Sequence, residues 1–247
     1  MIGFVVVSHS RPLAEAAVAL ATQMVAEALP PIEIAAGSAD GGFGTDAAAI
    51  AASVDRLDAA EDVVVLMDLG SAVLSAEMAL EFVENPDRVH LSSAPFVEGL
   101  VAAVVLAATG ADWTSIHAEL GSAYAQKARH LGAEPGPDES APEPPVPLPE
   151  PASGGDEASF EAVVVNPSGL HARPAATFVK TAAKFDALVE IENVDAGSGP
   201  VSAASLLALI ALGIGRGARV RVRARGREAQ PAIDALRALV EDGFGEL

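Results

Sequence analysis

Two of the five histidines in this chain share a four-residue setting. His9-Ser10-Arg11-Pro12 follows the apolar run IGFVVV, and His171-Ala172-Arg173-Pro174 follows the apolar run FEAVVV and a short turn, NPSGL. In each case a strand-like run ends at a histidine, an arginine and a proline follow, and an alanine-rich helical stretch begins (LAEAAVALATQM and AATFVKTAAKF). Proline suits the first helical position, where its missing N–H costs no hydrogen bond. Each histidine is therefore placed at a helix N-terminus, where free backbone N–H groups and the helix dipole favour an anion. Arginine adds a planar, permanently charged fork suited to phosphate oxygens. An imidazole beside such a cradle can accept a phosphoryl group and pass it on, and two such sites in one chain suggest a relay. His90, His117 and His130 lack this context and read as structural or surface residues.

Composition removes several classes of function. There is no cysteine, hence no disulfide and no thiolate chemistry or thiolate metal site. The first residues lack a basic stretch ahead of their apolar run, and no segment reaches membrane-spanning length without polar interruption, so a cytoplasmic protein is expected. The formal charge is −19 and uneven: residues 1–132 carry 5 basic and 17 acidic side chains, 133–158 carry 0 and 7, and 159–247 carry 10 and 10. Nucleic acid binding depends on neutralising phosphates with basic groups, so it is not expected. The arginines of ARVRVRARG alternate as the solvent face of a strand would.

The chain divides at EPGPDESAPEPPVPLPEPASGGDE, which holds eight prolines and almost no large apolar residue. Such a segment cannot build a core and reads as an extended linker over 133–158, roughly 80 Å long at full polyproline extension. Two domains are expected, 1–132 and 159–247. In the first, strands are read at 2–8, 32–37, 62–70 and 88–96, with helices at 12–29, 46–60, 72–83 and 97–110; His117 falls in a further helix-like segment. Alternation of this kind predicts an α/β fold with a mostly parallel sheet flanked by helices on both faces. The second domain reads as α+β, an open antiparallel sheet with helices on one face: strands at 160–166, 188–194 and 218–225, helices at 174–185, 202–214 and 228–243, and a small-residue turn before 202.

In parallel sheets, sites gather at the carboxyl ends of the strands. His9 follows the first strand, Gly41-Gly42-Phe43-Gly44-Thr45 the second, and Asp68-Leu69-Gly70-Ser71 the third. A carboxylate on one ring nitrogen fixes the tautomer and leaves the other as nucleophile, and Asp68 is the candidate. Ser10, Thr45, Gly70 and Ser71 offer hydroxyl or backbone donors to phosphoryl oxygens. Asp68 and Thr45 are equally the residue types that simply cap helices.

NPSGLHARPAATFVK, with SAASLLALIALGI, resembles the HPr family of histidine phosphocarriers over nearly all of 159–247. That resemblance implies a phosphoryl group on Nδ1 of His171 with Arg173 assisting, and it matches Ser205 to a serine that some relatives use for regulation; the lysine expected before that serine is replaced by Ala204. VVVSHS, GTDA at Gly44–Ala47, MDLGSA at Met67–Ala72, LSAEMAL and SAPFVEG resemble the mannose-family enzyme IIA domains. The likeness is narrower still to the phosphotransfer subunits of dihydroxyacetone kinase, and it covers about 1–125.

The resemblance implies a phosphotransferase component of the phosphoenolpyruvate–glycerone type. A separate enzyme I charges His171, His171 charges His9 directly or through a free HPr, and His9 recharges ADP in the kinase's nucleotide-binding subunit. A substrate-binding subunit holds dihydroxyacetone. Homodimerisation through the first domain is expected by the same likeness. Neither domain carries a nucleotide-binding motif, and no cofactor or metal is expected. Two other readings stay open: an enzyme IIA–HPr fusion serving a mannose-type sugar permease, and a regulatory module whose histidine state is sensed by a transcription factor.

Overall fold

A strand with both faces buried organises the first half of the chain. β1 (Ile2–Ser8) is buried at every position, as a central strand of a parallel sheet covered on both sides must be. The structure is a computed structural model that describes residues 1–25, 28–130 and 157–246, and it divides into two units, Met1–Ala123 and Tyr124–Leu247. In the first, β1 lies between β2 (Ile32–Ala36) and β3 (Asp62–Met67), and β4 (Val89–Ser92) adds to β3. All three pairings are parallel.

Side-chain alternation sends successive residues to opposite faces. Val5, Val7, Val63, Val65 and Met67 join Ile50 and Val54 of α2 (Ala47–Asp55) and Ala72, Ala76 and Ala79 of α3 (Gly70–Ala79) in one core. On the other face α1 (Arg11–Gln23) packs on α4 (Phe96–Ala108). There Gly99 of α4 lies against Leu66, and against Leu120 of α5 (Trp113–His130). A Cβ on Gly99 would come 2.9 Å from the Ala94 Cβ and 3.2 Å from a methyl of each leucine.

Several boundaries differ from those expected. The first helix ends at Gln23 rather than residue 29, well ahead of the Pro30-Pro31 pair that disfavours helix in the residue before it. The third strand ends at Met67 rather than residue 70, because Gly70 already begins α3. This shift puts Asp68 in the two-residue turn between strand and helix.

The second unit is a four-stranded antiparallel sheet in the order β5-β8-β6-β7. Its strands are β5 (Glu157–Val163), β6 (Leu188–Asn193), β7 (Ser198–Ser202) and β8 (Arg219–Arg225). Its helices are α6 (Ala172–Ala182), α7 (Leu206–Ala211) and α8 (Ala229–Glu241). Phe160, Ile191, Val220, Val222 and Ala224 from the sheet are buried with Phe178, Leu206, Leu209, Ile233 and Leu236 from the helices. β7 falls where a small-residue turn was expected; it is an edge strand, the place in a sheet where proline and glycine are tolerated, and it contains Gly199 and Pro200.

The arginine run is neutralised on the open face of this sheet. Arg221 stands opposite Glu161 of β5 and Glu192 of β6 and bonds both carboxylates. Arg219 pairs with Asp195, and Arg225 with Glu157. The face is a cross-strand ion-pair ladder rather than a bare basic surface. Of the expected linker, only Glu157 and Ala158 are among the described residues, and they open β5. No helix among the described residues is long and apolar enough to cross a membrane.

Gly99→Ala is expected to overpack the α4 contact and to destabilise the protein by about 1–3 kcal/mol. Gly121→Ala, on α5 where an added Cβ meets nothing within 4 Å, is expected to stabilise by roughly 0.5–1 kcal/mol. Chemical denaturation of the two variants beside wild type checks both signs.

Candidate functional site

Strand register assembles the first site. Val7 of β1 pairs with Met67 of β3, and Ser8 with Ala36 of β2, so the residues that follow these positions emerge side by side at the carboxyl edge. Asp68 thereby comes level with Ser8 and His9. Its Oδ1 lies 2.9 Å from His9 Nδ1, and its Oδ2 accepts from the Ser8 hydroxyl at 2.8 Å and the His9 backbone N–H at 2.9 Å. The Asp68 side chain is 8% exposed and that of His9 24%. Burial opposes ionisation of this carboxyl, yet the bonds from the His9 ring, the His9 backbone and Ser8 together hold it below its ordinary value of 3.8. An ionised carboxylate only accepts, so Nδ1 carries the proton. Nε2 keeps its lone pair and receives the Ser71 hydroxyl at 2.9 Å.

The neighbouring loops close around this ring. Gly44 N–H donates to the His9 carbonyl at 3.0 Å, and Gly37 N–H to that of Ser8 at 3.1 Å, tying the glycine-rich loop to the histidine's backbone. Gly70 and Ser71 are the first two residues of α3, whose leading N–H groups have no intrahelical acceptor. Ser10 caps α1, accepting from the Leu13 N–H. Thr45 does not reach His9; its hydroxyl bonds that of Ser75 at 2.7 Å. Neither Asp68 nor Thr45 is a helix cap: Leu69 occupies that position on α3, and Asp46 on α2.

The second histidine is held the other way round. Glu246 presents Oε1 at 3.1 Å and Oε2 at 3.3 Å to Nε2 of His171, leaving Nδ1 unoccupied by that carboxylate. His171 is itself the cap residue of α6, and its side chain is 41% exposed. Gly169, with φ +66, cannot carry a side chain: its Cβ would lie 2.3 Å from the Ile214 carbonyl oxygen. Arg173 is exposed at the second position of α6. Ser205 caps α7 by accepting from the Ala208 N–H at 3.0 Å.

The two H-x-R-P motifs are therefore offset by one residue against their helices. In the first, Ser10 is the cap and Pro12 the second helical residue; in the second, His171 is the cap and Pro174 the third. Neither proline takes the first position expected of it. Both still fall in the opening turn, where a missing N–H breaks no intrahelical bond. Sequence reasoning missed Glu246, which lies 75 residues from His171 with no motif to join them. Of the other histidines, His90 bonds Asp62 at 2.8 Å and stacks on Trp113, which also touches His117. The side chain of His130 lies outside the described residues. No cluster that would hold a metal ion occurs among the described residues.

A family model described as PTS HPr component phosphorylation site matches residues 158–242, and one described as PTS system fructose IIA component matches residues 3–117. The phosphoryl donor subunit DhaM of PEP-dependent dihydroxyacetone kinase from Escherichia coli is 37% identical over the whole of this chain and 51% of its own length. The corresponding subunit of dihydroxyacetone kinase 2 from Listeria innocua is 36% identical over 42% of this chain and 85% of its own. A multiphosphoryl transfer protein from Haemophilus influenzae is 48% identical over 34% of this chain and 17% of its own length. The chain spans about half the length of the enterobacterial relatives it matches from end to end.

The folded pKa of Asp68 lies below its unfolded value, so its stabilising contribution is complete above about pH 4 and is lost as pH falls through the lower folded value. In long-range 1H–15N spectra the His9 Nδ1–H signal should accordingly persist as pH falls past the ordinary carboxylate value of 3.8. In Asp68→Asn, whose amide does not present the same pair of acceptors, a fixed Nδ1–H form should be missing even at neutral pH.

Proposed function

From the premise that the chain belongs to the DhaM family of phosphoryl donor subunits, we propose that it is a phosphohistidine relay between phosphoenolpyruvate-charged enzyme I and a dihydroxyacetone kinase. The observation that carries this reading is the opposed clamping of two imidazoles. Asp68 takes Nδ1 of His9, and Glu246 takes Nε2 of His171. The free nitrogens are Nε2 on one and Nδ1 on the other.

In the first step the lone pair of His171 Nδ1 attacks phosphorus on enzyme I. The donor P–N bond breaks as the new one forms, and Glu246 stays on the Nε2 proton. His9 Nε2 then attacks the same phosphorus in line, and the electrons of the His171 P–N bond return to Nδ1. Asp68 balances the positive charge that grows on the His9 ring. Ser71 gives up its bond to Nε2 and its hydroxyl turns to a phosphoryl oxygen. The group finally passes to the terminal phosphate oxygen of ADP in the nucleotide-binding subunit, the His9 P–N bond breaking with its electrons returning to Nε2, and the ATP so formed phosphorylates a hydroxyl of dihydroxyacetone held by the substrate-binding subunit. In such transfers catalysis is positioning and charge stabilisation.

Charge stabilisation at His9 falls to Arg11. Three arginines lie within residues 1–123. Arg56 pairs with Glu33, and Arg88 is bound to the carbonyls of Leu57 and Ala60. Arg11 opens α1 two residues after His9, is half-exposed and meets only Glu15, at 3.7 Å, among the ion pairs of the described residues. It is free to swing to an incoming phosphoryl group.

With purified enzyme I, phosphoenolpyruvate and both kinase subunits, wild type should form dihydroxyacetone phosphate. His9→Ala should accept phosphate on His171 but give no product, and Arg11→Ala should slow product formation about tenfold or more without unfolding. Label on both histidines with no product, but with product on adding a mannose-type permease, would move the assignment to sugar uptake.

A further inference from the structure

The buried amide of Asn166 ties the loop before His171 and reaches a residue of the site. Asn166 is fully buried. Its Nδ2 donates to the Gly169 carbonyl at 2.7 Å and to Glu246 Oε2 at 2.9 Å, while its Oδ1 has no hydrogen-bond partner among the described residues. The amide cannot be turned over, since Oδ1 would then face a carbonyl and a carboxylate, both acceptors. A fully buried polar atom without a partner is costly, while the other end of the same amide makes two hydrogen bonds. The arrangement persists because of what the other end of the amide holds.

Resting on the relay reading of His171, we propose that Asn166 and Glu246 are a pair of positioning residues for phosphoryl transfer at that histidine. Asn166 fixes Glu246, and Glu246 fixes the ring. Glu246 follows the last turn after α8, beyond Phe244 with its positive φ of 61°, and its carboxylate is 20% exposed. Without an anchor, a partly exposed glutamate side chain with three rotatable bonds would share its time among rotamers. Asn166 sits on the loop that delivers His171 and is itself immobilised through Gly169, whose backbone is wedged against Ile214. The carboxylate is therefore referenced to the same loop as the imidazole it grips. The consequence is a ring held with Nε2–H toward Glu246 and Nδ1 available to the opening turn of α6, where leading N–H groups and Arg173 await a phosphoryl group. When Nδ1 takes phosphorus the ring becomes cationic, and the same carboxylate is already in place against it.

The test uses the full chain with Glu246→Ala, Glu246→Gln and Asn166→Leu, read in two ways. In long-range 1H–15N spectra of the unphosphorylated protein, wild type should show a downfield, slowly exchanging His171 Nε2–H. That signal should be lost in Glu246→Ala and in Asn166→Leu, although the latter keeps both contacting side chains. In transfer from enzyme I and phosphoenolpyruvate, both variants should lower kcat by roughly tenfold to a hundredfold with KM for enzyme I little changed, as misplacement of a reacting group does. Glu246→Gln, whose single amide oxygen must serve both the Nε2–H and the Asn166 amide, should recover part of the rate lost in Glu246→Ala. Asn166→Leu removes an unpaired buried oxygen but also two donated hydrogen bonds, so its rate and spectra are compared at temperatures where thermal melting shows it folded. A wild-type Nε2–H signal and wild-type kcat in Glu246→Ala would overturn the proposal, whatever Asn166→Leu does. Failure of the wild-type chain to accept phosphate on His171 would instead sink the relay reading, while the spectra would still decide the geometry.

Discussion

Which nitrogen of an imidazole can act as a nucleophile is decided by what holds the other, and in this chain a carboxylate holds one nitrogen of each of two imidazoles. Asp68 is the clearer case. A single carboxylate receives three donors, two from His9 and one from Ser8, so ring, backbone and strand end are fixed together. The bond is short, nearly out of solvent and charge-assisted, conditions under which a hydrogen bond counts for most. Everything around it serves to bring Asp68 there: the parallel register of β1 and β3, the abrupt start of α3 at Gly70, and the two-residue turn between them.

The two units solve the same problem from unrelated scaffolds. In the parallel sheet, the clamp comes from the neighbouring strand and the helix dipole from the next helix along. In the antiparallel unit the histidine caps its own helix, and the clamp arrives from the far end of the domain. The one-residue offset between the motifs follows from this difference. His9 stands one residue clear of the α1 cap, with Asp68 and Ser71 on its two ring nitrogens, whereas His171 is itself the cap residue of α6.

Much of this was legible in the sequence because it is written in local patterns. The buried apolar runs gave the parallel sheet, and the position of Asp68 just past a strand, level with His9, marked it as a ligand to that ring. The alternating arginines of β8 identified a solvent face, which the Glu161 and Glu192 partners bear out. Local pattern failed where the deciding contact is distant or the composition is atypical. Glu246 meets His171, and Asn166 meets Glu246, only through tertiary structure. β7 hides in a Gly-Ser-Pro segment that an edge strand accommodates. The identical spacing of the two H-x-R-P motifs conceals different cap positions, since that choice is made by the preceding turn and not by the motif.

The position of phosphorus on each ring tests the central claim most directly. The chain would be phosphorylated with enzyme I and phosphoenolpyruvate, and each histidine assigned by 31P–1H–15N correlation, using His9→Ala and His171→Ala to separate the signals. Phosphorus is expected on Nδ1 of His171 and on Nε2 of His9. Phosphorus on the carboxylate-bonded nitrogen of either ring would contradict it.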